Sequence, residues 1–180
     1  MAEHKTIGRR VVVVGNTGSG KTTLARHLAA RLGVPHVELD ALHWEPHWQP
    51  APLDVFRARL LEALGGERWV ADGNYSQVRD IVWQRADTLI WLDYPLHVSL
   101  RRLVPRTLRR LLRGEVLWGN NRESARETFL SRDSILLWAV TSHHRRRHSY
   151  PLLLADPQHA HLAVLRFRAP RDTAAWLSRL

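Results

Sequence analysis

Apolar and polar positions along this chain change their period several times, and the changes mark its elements. Residues 11–14 are an unbroken run of valine, which suits a strand of a parallel sheet covered on both faces. Over residues 22–32 the period becomes helical, with Leu24, Leu28 and Leu32 on one stripe and Gly33 closing the helix. Residues 34–39 predict a second strand running into Asp40, followed by a loop rich in Trp, Pro and His. Residues 54–64 are amphipathic again, with Val55, Phe56, Leu60 and Leu64 apolar and a Gly-Gly pair behind them. A third strand is predicted at 68–71, leading into DGNYS, and a fourth at 88–92, ending at Asp93 and Pro95. Residue 96 to about residue 150 predicts helix rich in Arg and Trp, 163–167 a fifth strand and 172–180 a closing helix. Strands alternating with helices imply βαβ units, hence an α/β three-layer fold on a parallel sheet. The expectation is one domain over residues 1–180, with residues 96–150 inserted as a helical lid region.

The apolar runs are all too short for a membrane span or a secretory leader, and the chain has no cysteine. A cytoplasmic protein without disulfides or thiolate metal sites is the expectation. Net charge is +10, and Lys5 and Lys21 are the only lysines, so the excess is arginine. Two readings stay open: ordinary solvated surface, or an anionic partner gripped by guanidinium forks.

The break after the valine run carries the chemistry. Gly15-Asn16-Thr17-Gly18-Ser19-Gly20-Lys21-Thr22 fits G-x-x-x-x-G-K-[ST] between a strand and a helix. Such a loop, with Thr23 behind it, turns successive backbone N–H groups toward the phosphates of ATP at a helix N-terminus. Lys21 is expected on the β- and γ-phosphates and the Thr22 hydroxyl on Mg²⁺.

Absences narrow the class. The chain has no Asn-Lys-x-Asp box for guanine and no Leu-Ser-Gly-Gly segment. Asp93 is followed by Tyr94 and Asp72 by Gly73, where a hydrolysing machine would place a water-polarising Glu. A kinase needs no such group, only positioning and charge neutralisation. Arg101, Arg102, Arg106, Arg109, Arg110, Arg113, Arg122 and Arg126 fall in the predicted lid; in a helix Arg102, Arg106, Arg109 and Arg113 share a face. Leu103, Val104, Leu108, Leu111 and Leu112 would pack elsewhere, and Pro105 would kink the helix or mark a boundary.

Taken together, the phosphate loop, LDALHW, DGNYS, ADTLIWLDYP and LWGNNRE resemble the adenylate-kinase-like P-loop proteins known as topology modulation proteins. The likeness is dense from Val11 to Glu123. It implies a nucleoside-monophosphate-kinase-like fold with strand order 2-3-1-4-5, use of ATP and Mg²⁺, and a nucleotide or small-molecule acceptor. It also implies Asp72 near the Mg²⁺ and, by analogy with shikimate-type kinases, Asp40 orienting the acceptor hydroxyl. Asn74-Tyr75 stands where adenylate kinases carry Pro-Arg, so the acceptor site departs from theirs.

Trp44 and Trp48 are expected to wall the acceptor pocket with Asp40, Asn74 and Tyr75. His43 and His47 sit between prolines, which argues against a helical metal pair. The basic run at 143–148 reads as solvated surface, with an anionic partner second. The leading expectation is an ATP- and Mg²⁺-dependent phosphotransferase with Lys21, Asp40, Asp72, Arg106, Arg110 and Arg122 as its catalytic set. A nucleic-acid-associated ATP-binding protein and a non-catalytic nucleotide-binding regulator stay as alternatives, with monomer and homodimer both open.

Overall fold

The computed structural model describes residues 7–123 and 134–180. Strand β1 (Arg10–Gly15) lies at the centre of a five-stranded parallel sheet, and Val11 to Val14 are each at most 1% exposed. The sheet runs β2 (His36–Glu38), β3 (Trp69–Asp72), β1, β4 (Thr88–Leu92), β7 (Ala163–Phe167). Order and direction match the expected 2-3-1-4-5, with the fifth strand of that sheet numbered seventh because a small hairpin precedes it.

Alternation along β1 builds both layers. Val11 and Val13 pack with Leu24 and Leu28 of α1 (Lys21–Leu32), and with Trp176 of α7 (Pro170–Leu177). Val12 and Val14 face the other way, onto Phe56 and Leu60 of α3 (Leu53–Ala63), Val82 and Trp83 of α4 (Arg79–Arg85), and Tyr150. Burying so many branched side chains on two faces is the main drive to this architecture, at roughly 1.5–3 kcal/mol for each large one.

Three differences from the sequence reading matter for the site. Strand β2 is only His36–Glu38, and Leu39 already starts a short helix, α2 (Leu39–His43), which puts Asp40 in a first helical turn. Helix α4 was not foreseen, because DGNYS reads as a turn and the seven residues of α4 are too short to show a period. The predicted lid is two helices around a hairpin: α5 (Leu96–Arg113), β5 (Val116–Leu117), β6 (Asn121–Arg122) and α6 (Ile135–Leu154). Helix α5 continues through Pro105 without ending. Its apolar residues do not all pack, since Leu108 is 45% and Leu112 87% exposed while Leu103 is buried. Arg126 lies outside the described residues. Among the described residues no helix is long and apolar enough to cross a membrane.

Candidate active site

The C-terminal ends of β1, β2 and β3 meet at one edge of the sheet, where the loops and the last strand residues supply polar groups. The phosphate loop follows β1 and turns into α1 with Gly20 in a left-handed conformation. Its middle glycine has a steric reason. At Gly18, with φ +79°, a Cβ would meet the Ser99 carbonyl oxygen at 2.5 Å and Leu103 Cβ at 2.9 Å. Helix α5 therefore lies directly on the loop, and only glycine permits that approach.

Lys21 Nζ donates to the Asn16 carbonyl at 3.2 Å, closing the loop on itself. Burial lowers its pKa to about 8, helped by Arg146 and Arg106, while Asp40 and Asp72 oppose the shift. Four charged side chains from four segments thus surround one ammonium. A lysine in this state is poorly compensated by water and suited to a polyanion.

Asp72 ends β3 and is 3% exposed. Thr22 Oγ1 donates to its Oδ2 at 2.7 Å, and His36 Nε2 lies 2.7 Å from its Oδ1. Thr22 and Asp72, the expected Mg²⁺ pair, are thus side by side. Hard oxygen donors next to a phosphate loop are the donor set Mg²⁺ prefers. The Ser19 hydroxyl in the same loop is buried with no partner among the described residues, a further donor aimed at no protein group. These residues fit a Mg²⁺–nucleotide.

Asn74 takes a different place from the one expected. Its amide accepts from Gly15 N at 3.1 Å and donates to Gly15 O at 2.7 Å, extending the β1–β3 ladder by a side chain. Asn16 is likewise turned away from the loop mouth, donating to Ala139 O at 3.0 Å and accepting from Ser142 and Arg146 on α6. Thr17 and Thr23 complete the loop sequence without a described side-chain hydrogen bond.

Beyond β2, the Tyr75 hydroxyl donates to Asp40 Oδ1 at 2.5 Å, and burial beside that carboxylate raises the phenol's pKa. Trp44 lies near the Tyr75 hydroxyl and stands edge-on to Trp48 with centroids 5.5 Å apart. His43 fills the space behind, 4.4 Å from the Tyr75 ring and 4.9 Å from Phe56. Asp40, Trp44, Trp48 and Tyr75 therefore lie together. Glu38 lies behind them, its pKa raised by burial and by Asp72.

The lid arginines divide. Arg106 reaches the charge cluster at Lys21 and Asp40, and burial together with Arg110 lowers its pKa. Arg102 donates to Ser19 O at 3.1 Å. Arg110 is engaged by Glu123 at 3.2 Å and lies 3.7 Å from Glu115, while Arg109 lies 3.4 Å from Glu115. Arg122 presents an exposed side chain, and its carbonyl accepts from the Trp48 indole at 3.1 Å.

Two site residues escaped the sequence reading. His36 sits on β2 and looked like an ordinary strand position. Arg146 belongs to the 143–148 run read as surface, yet it donates to Asn16 Oδ1 and Ser142 Oγ, both at 3.0 Å. His143 turns inward too, its Nε2 3.1 Å from Tyr94 O, while Arg147 stays exposed and pairs at 2.9 Å with Asp93, which also holds Arg166. The helical period of α6 is the signal that could have found them, since residues 139, 142, 143 and 146 share one face.

Comparison with known proteins places the chain among P-loop kinases. Residues 11–93 match the family model described as "ATPase family associated with various cellular activities (AAA)". Shikimate kinase of Rhodopseudomonas palustris is 33% identical over 124 residues, 58% of this chain and 59% of that protein. Shikimate kinase of Ruegeria pomeroyi is 33% identical over 144 residues, 64% of this chain and 71% of that protein. The chain spans 59%, 56% and 63% of three such curated relatives, so each has length beyond the match. Among solved structures, shikimate kinase from Acinetobacter baumannii in complex with shikimate has a TM-score of 0.54 at 19% identity, covering 97% and 92% of the two chains. A gluconokinase from Sinorhizobium meliloti has 0.51 at 20% identity, covering 97% and 94%. At those identities the structural likeness speaks for the fold alone. The curated matches are shikimate kinases, and the finer likeness to topology modulation proteins rests on the sequence motifs.

Proposed function

We propose, for a chain that belongs to the shikimate kinase family, an ATP- and Mg²⁺-dependent phosphotransferase acting on a hydroxyl of a small acceptor. The observation that carries it is the pairing of Thr22 with Asp72 at 2.7 Å beside the phosphate loop, with Asp40, Arg106 and Arg146 acting electrostatically on the same Lys21 ammonium.

Each group has a distinct task in this reading. The backbone of residues 15–22 and Lys21 hold the β- and γ-phosphates, and Thr22 and Asp72 hold Mg²⁺, directly or through water. When bound, Mg²⁺ neutralises charge on the phosphate oxygens. Asp40 orients the acceptor hydroxyl with the carboxylate oxygen that Tyr75 leaves open, and receives its proton as the new O–P bond forms. The bond from the γ-phosphorus to the bridging oxygen breaks, and ADP departs. Arg106 and Arg146 offset charge on the transferring group, a contribution that lid arginines can raise to roughly 10³–10⁵ in rate. The Trp44–Trp48 wall covers the apolar part of the acceptor and keeps water out.

Shikimate is the first acceptor to try, because it is the one named for the relatives. Gluconate and nucleoside monophosphates are the contrasting classes. ADP release measured with each, for the natural chain and for Asp40→Asn, tests the reading. Asp40→Asn is expected to cost about 10²–10⁴ in acceptor-dependent rate while ATP binding persists. ATP consumption that is the same with and without every acceptor would sink it. Of the basic run, His143 and Arg146 are held inside the protein, which leaves the nucleic-acid alternative the exposed remainder, His144, Arg145, Arg147 and His148.

A further inference from the structure

We infer that Asn121 is a positioning residue that latches the lid hairpin to the acceptor loop, so that the aromatic wall and the lid close as one piece. This rests on the acceptor site proposed above.

Two tight turns face each other here. One is the segment from Trp44 to Pro50, pinched by a bridge between those residues and by Glu45 N donating to Gln49 O at 2.8 Å. The other is the turn Trp118–Asn120 between β5 and β6. His47 (φ 60°), Trp48 (φ 54°) and Asn120 (φ 59°) are the only non-glycine residues with positive φ among the described residues. All three lie in these two turns. A left-handed backbone is costly for such residues and persists only where surrounding contacts hold it.

Asn121 supplies those contacts. It is 4% exposed, and its amide N–H groups donate to Glu45 O at 2.8 Å and Trp118 O at 2.7 Å. Its Oδ1 accepts from Trp48 N at 2.9 Å. Both donors and the acceptor are therefore used, and every bond but one crosses to the other turn. The Trp48 indole returns the contact by donating to Arg122 O at 3.1 Å. At Gly119, with φ +63°, a Cβ would stand 2.6 Å from the Glu45 carbonyl carbon, so the turns touch backbone to backbone.

The latch continues toward the chemistry on both sides. From Trp48 the contacts pass edge-on to Trp44, then to Tyr75 and by its hydroxyl to Asp40. From β6 the next residue, Glu123, holds the Arg110 guanidinium at 3.2 Å. Trp118 in the same turn lies near Glu38 at the end of β2. An acceptor seated against Trp44 and Trp48 thereby favours the hairpin position that brings the arginine helix over the phosphates.

Amide hydrogen exchange on the full chain tests this without reference to turnover. Asn121→Ala is expected to speed exchange at least tenfold in both 44–49 and 116–122. The loop at 15–22 and the affinity for a fluorescent ATP analogue should change less than twofold. Acceleration confined to 116–122 overturns the latch, because the acceptor loop would then hold itself. Gly119→Ala, which keeps Asn121 but forces the turns apart, should give the same paired acceleration and decides the matter if Asn121→Ala does not fold. With Mg·ATP and shikimate as the probe, Asn121→Ala should raise the acceptor KM tenfold or more with the ATP KM within twofold. An equal rise in both overturns the latch. Absence of turnover in the unsubstituted chain counts against the acceptor reading only, and the exchange comparison still decides the latch.

Discussion

The phosphate loop and the acceptor loop both hold irregular backbone at the same edge of the sheet, but their shapes come from different distances along the chain. In residues 15–22 local bonds, Ser19 N to Asn16 O, Lys21 Nζ to Asn16 O and Leu24 N to Gly20 O, close the curl, and Asn74, Arg102 and Arg146 brace it from outside. In residues 44–50 the fixing side chain is Asn121, more than seventy positions away. The first loop uses glycine where the backbone turns left-handed, at Gly18 and Gly20. The second places His47 and Trp48 there and depends on outside contacts to keep them. A loop coded locally can be shared across many chemistries, whereas one coded by distant contacts is free to vary with its substrate.

The largest test of that contrast is Lys21→Met. It should lower phosphoryl transfer by roughly 10²–10³ or more, measured in single turnover with Mg·ATP. It should also raise the melting temperature of the nucleotide-free protein, since the substitution removes a desolvated ammonium. An unchanged or lower melting temperature would mean that the lysine is structural.

Gly18→Ala tests whether the donor loop is as self-contained as its local bonds suggest. The new methyl meets Ser99 O in a backbone that alanine disfavours, so a loss of about 1–3 kcal/mol is expected. For a chain of this size each kcal/mol is worth roughly 2–4 °C of melting temperature. A neutral result would place α5 farther from the loop.

Tyr75→Phe probes the acceptor half by removing one hydrogen bond to Asp40. The expected loss is about tenfold to a hundredfold in acceptor-dependent rate, with ATP affinity unchanged. Equal damage to ATP binding would erase the division between the halves.

The smallest effect concerns α6, which both halves share. Burial holds the His143 pKa below its ordinary value. The unfolded chain therefore binds a proton more readily, and stability falls as pH drops through the usual histidine range. His143→Gln should flatten the fall in melting temperature between pH 7 and pH 5. An unaltered slope would assign that fall to other groups.

The legibility of the sequence followed the same divide. Val11 to Val14, the phosphate loop and Thr88–Leu92 were readable because valine runs and glycine spacing are local signals. The pairing of Thr22 with Asp72, fifty positions apart, was reachable only through the family likeness. Asn74 as a rung on Gly15 and Asn121 as a latch were not reachable. Each acts through a partner 59 or more positions away, and nothing near it in sequence hints at the meeting. The inward turn of Arg146 was legible in the helical period of α6, but its partner Asn16, 130 positions away, was not. Helix α4 was missed for a plainer reason, its brevity after a turn-like segment.

Arg102 ties the near end of the inserted region to Ser19, and Asn16 ties the far end to Ala139 and Ser142. Both fastenings are made to the phosphate loop, so the described ends of the insert enter and leave the domain at nearly one place. Such a stretch has the geometry of an exchangeable cassette. Splicing in the corresponding stretch of a related kinase between residues 102 and 139 would change what closes over the acceptor while the nucleotide stays where it is. Evolution could use the same seam, keeping one donor site and trading acceptors by replacing a single continuous segment.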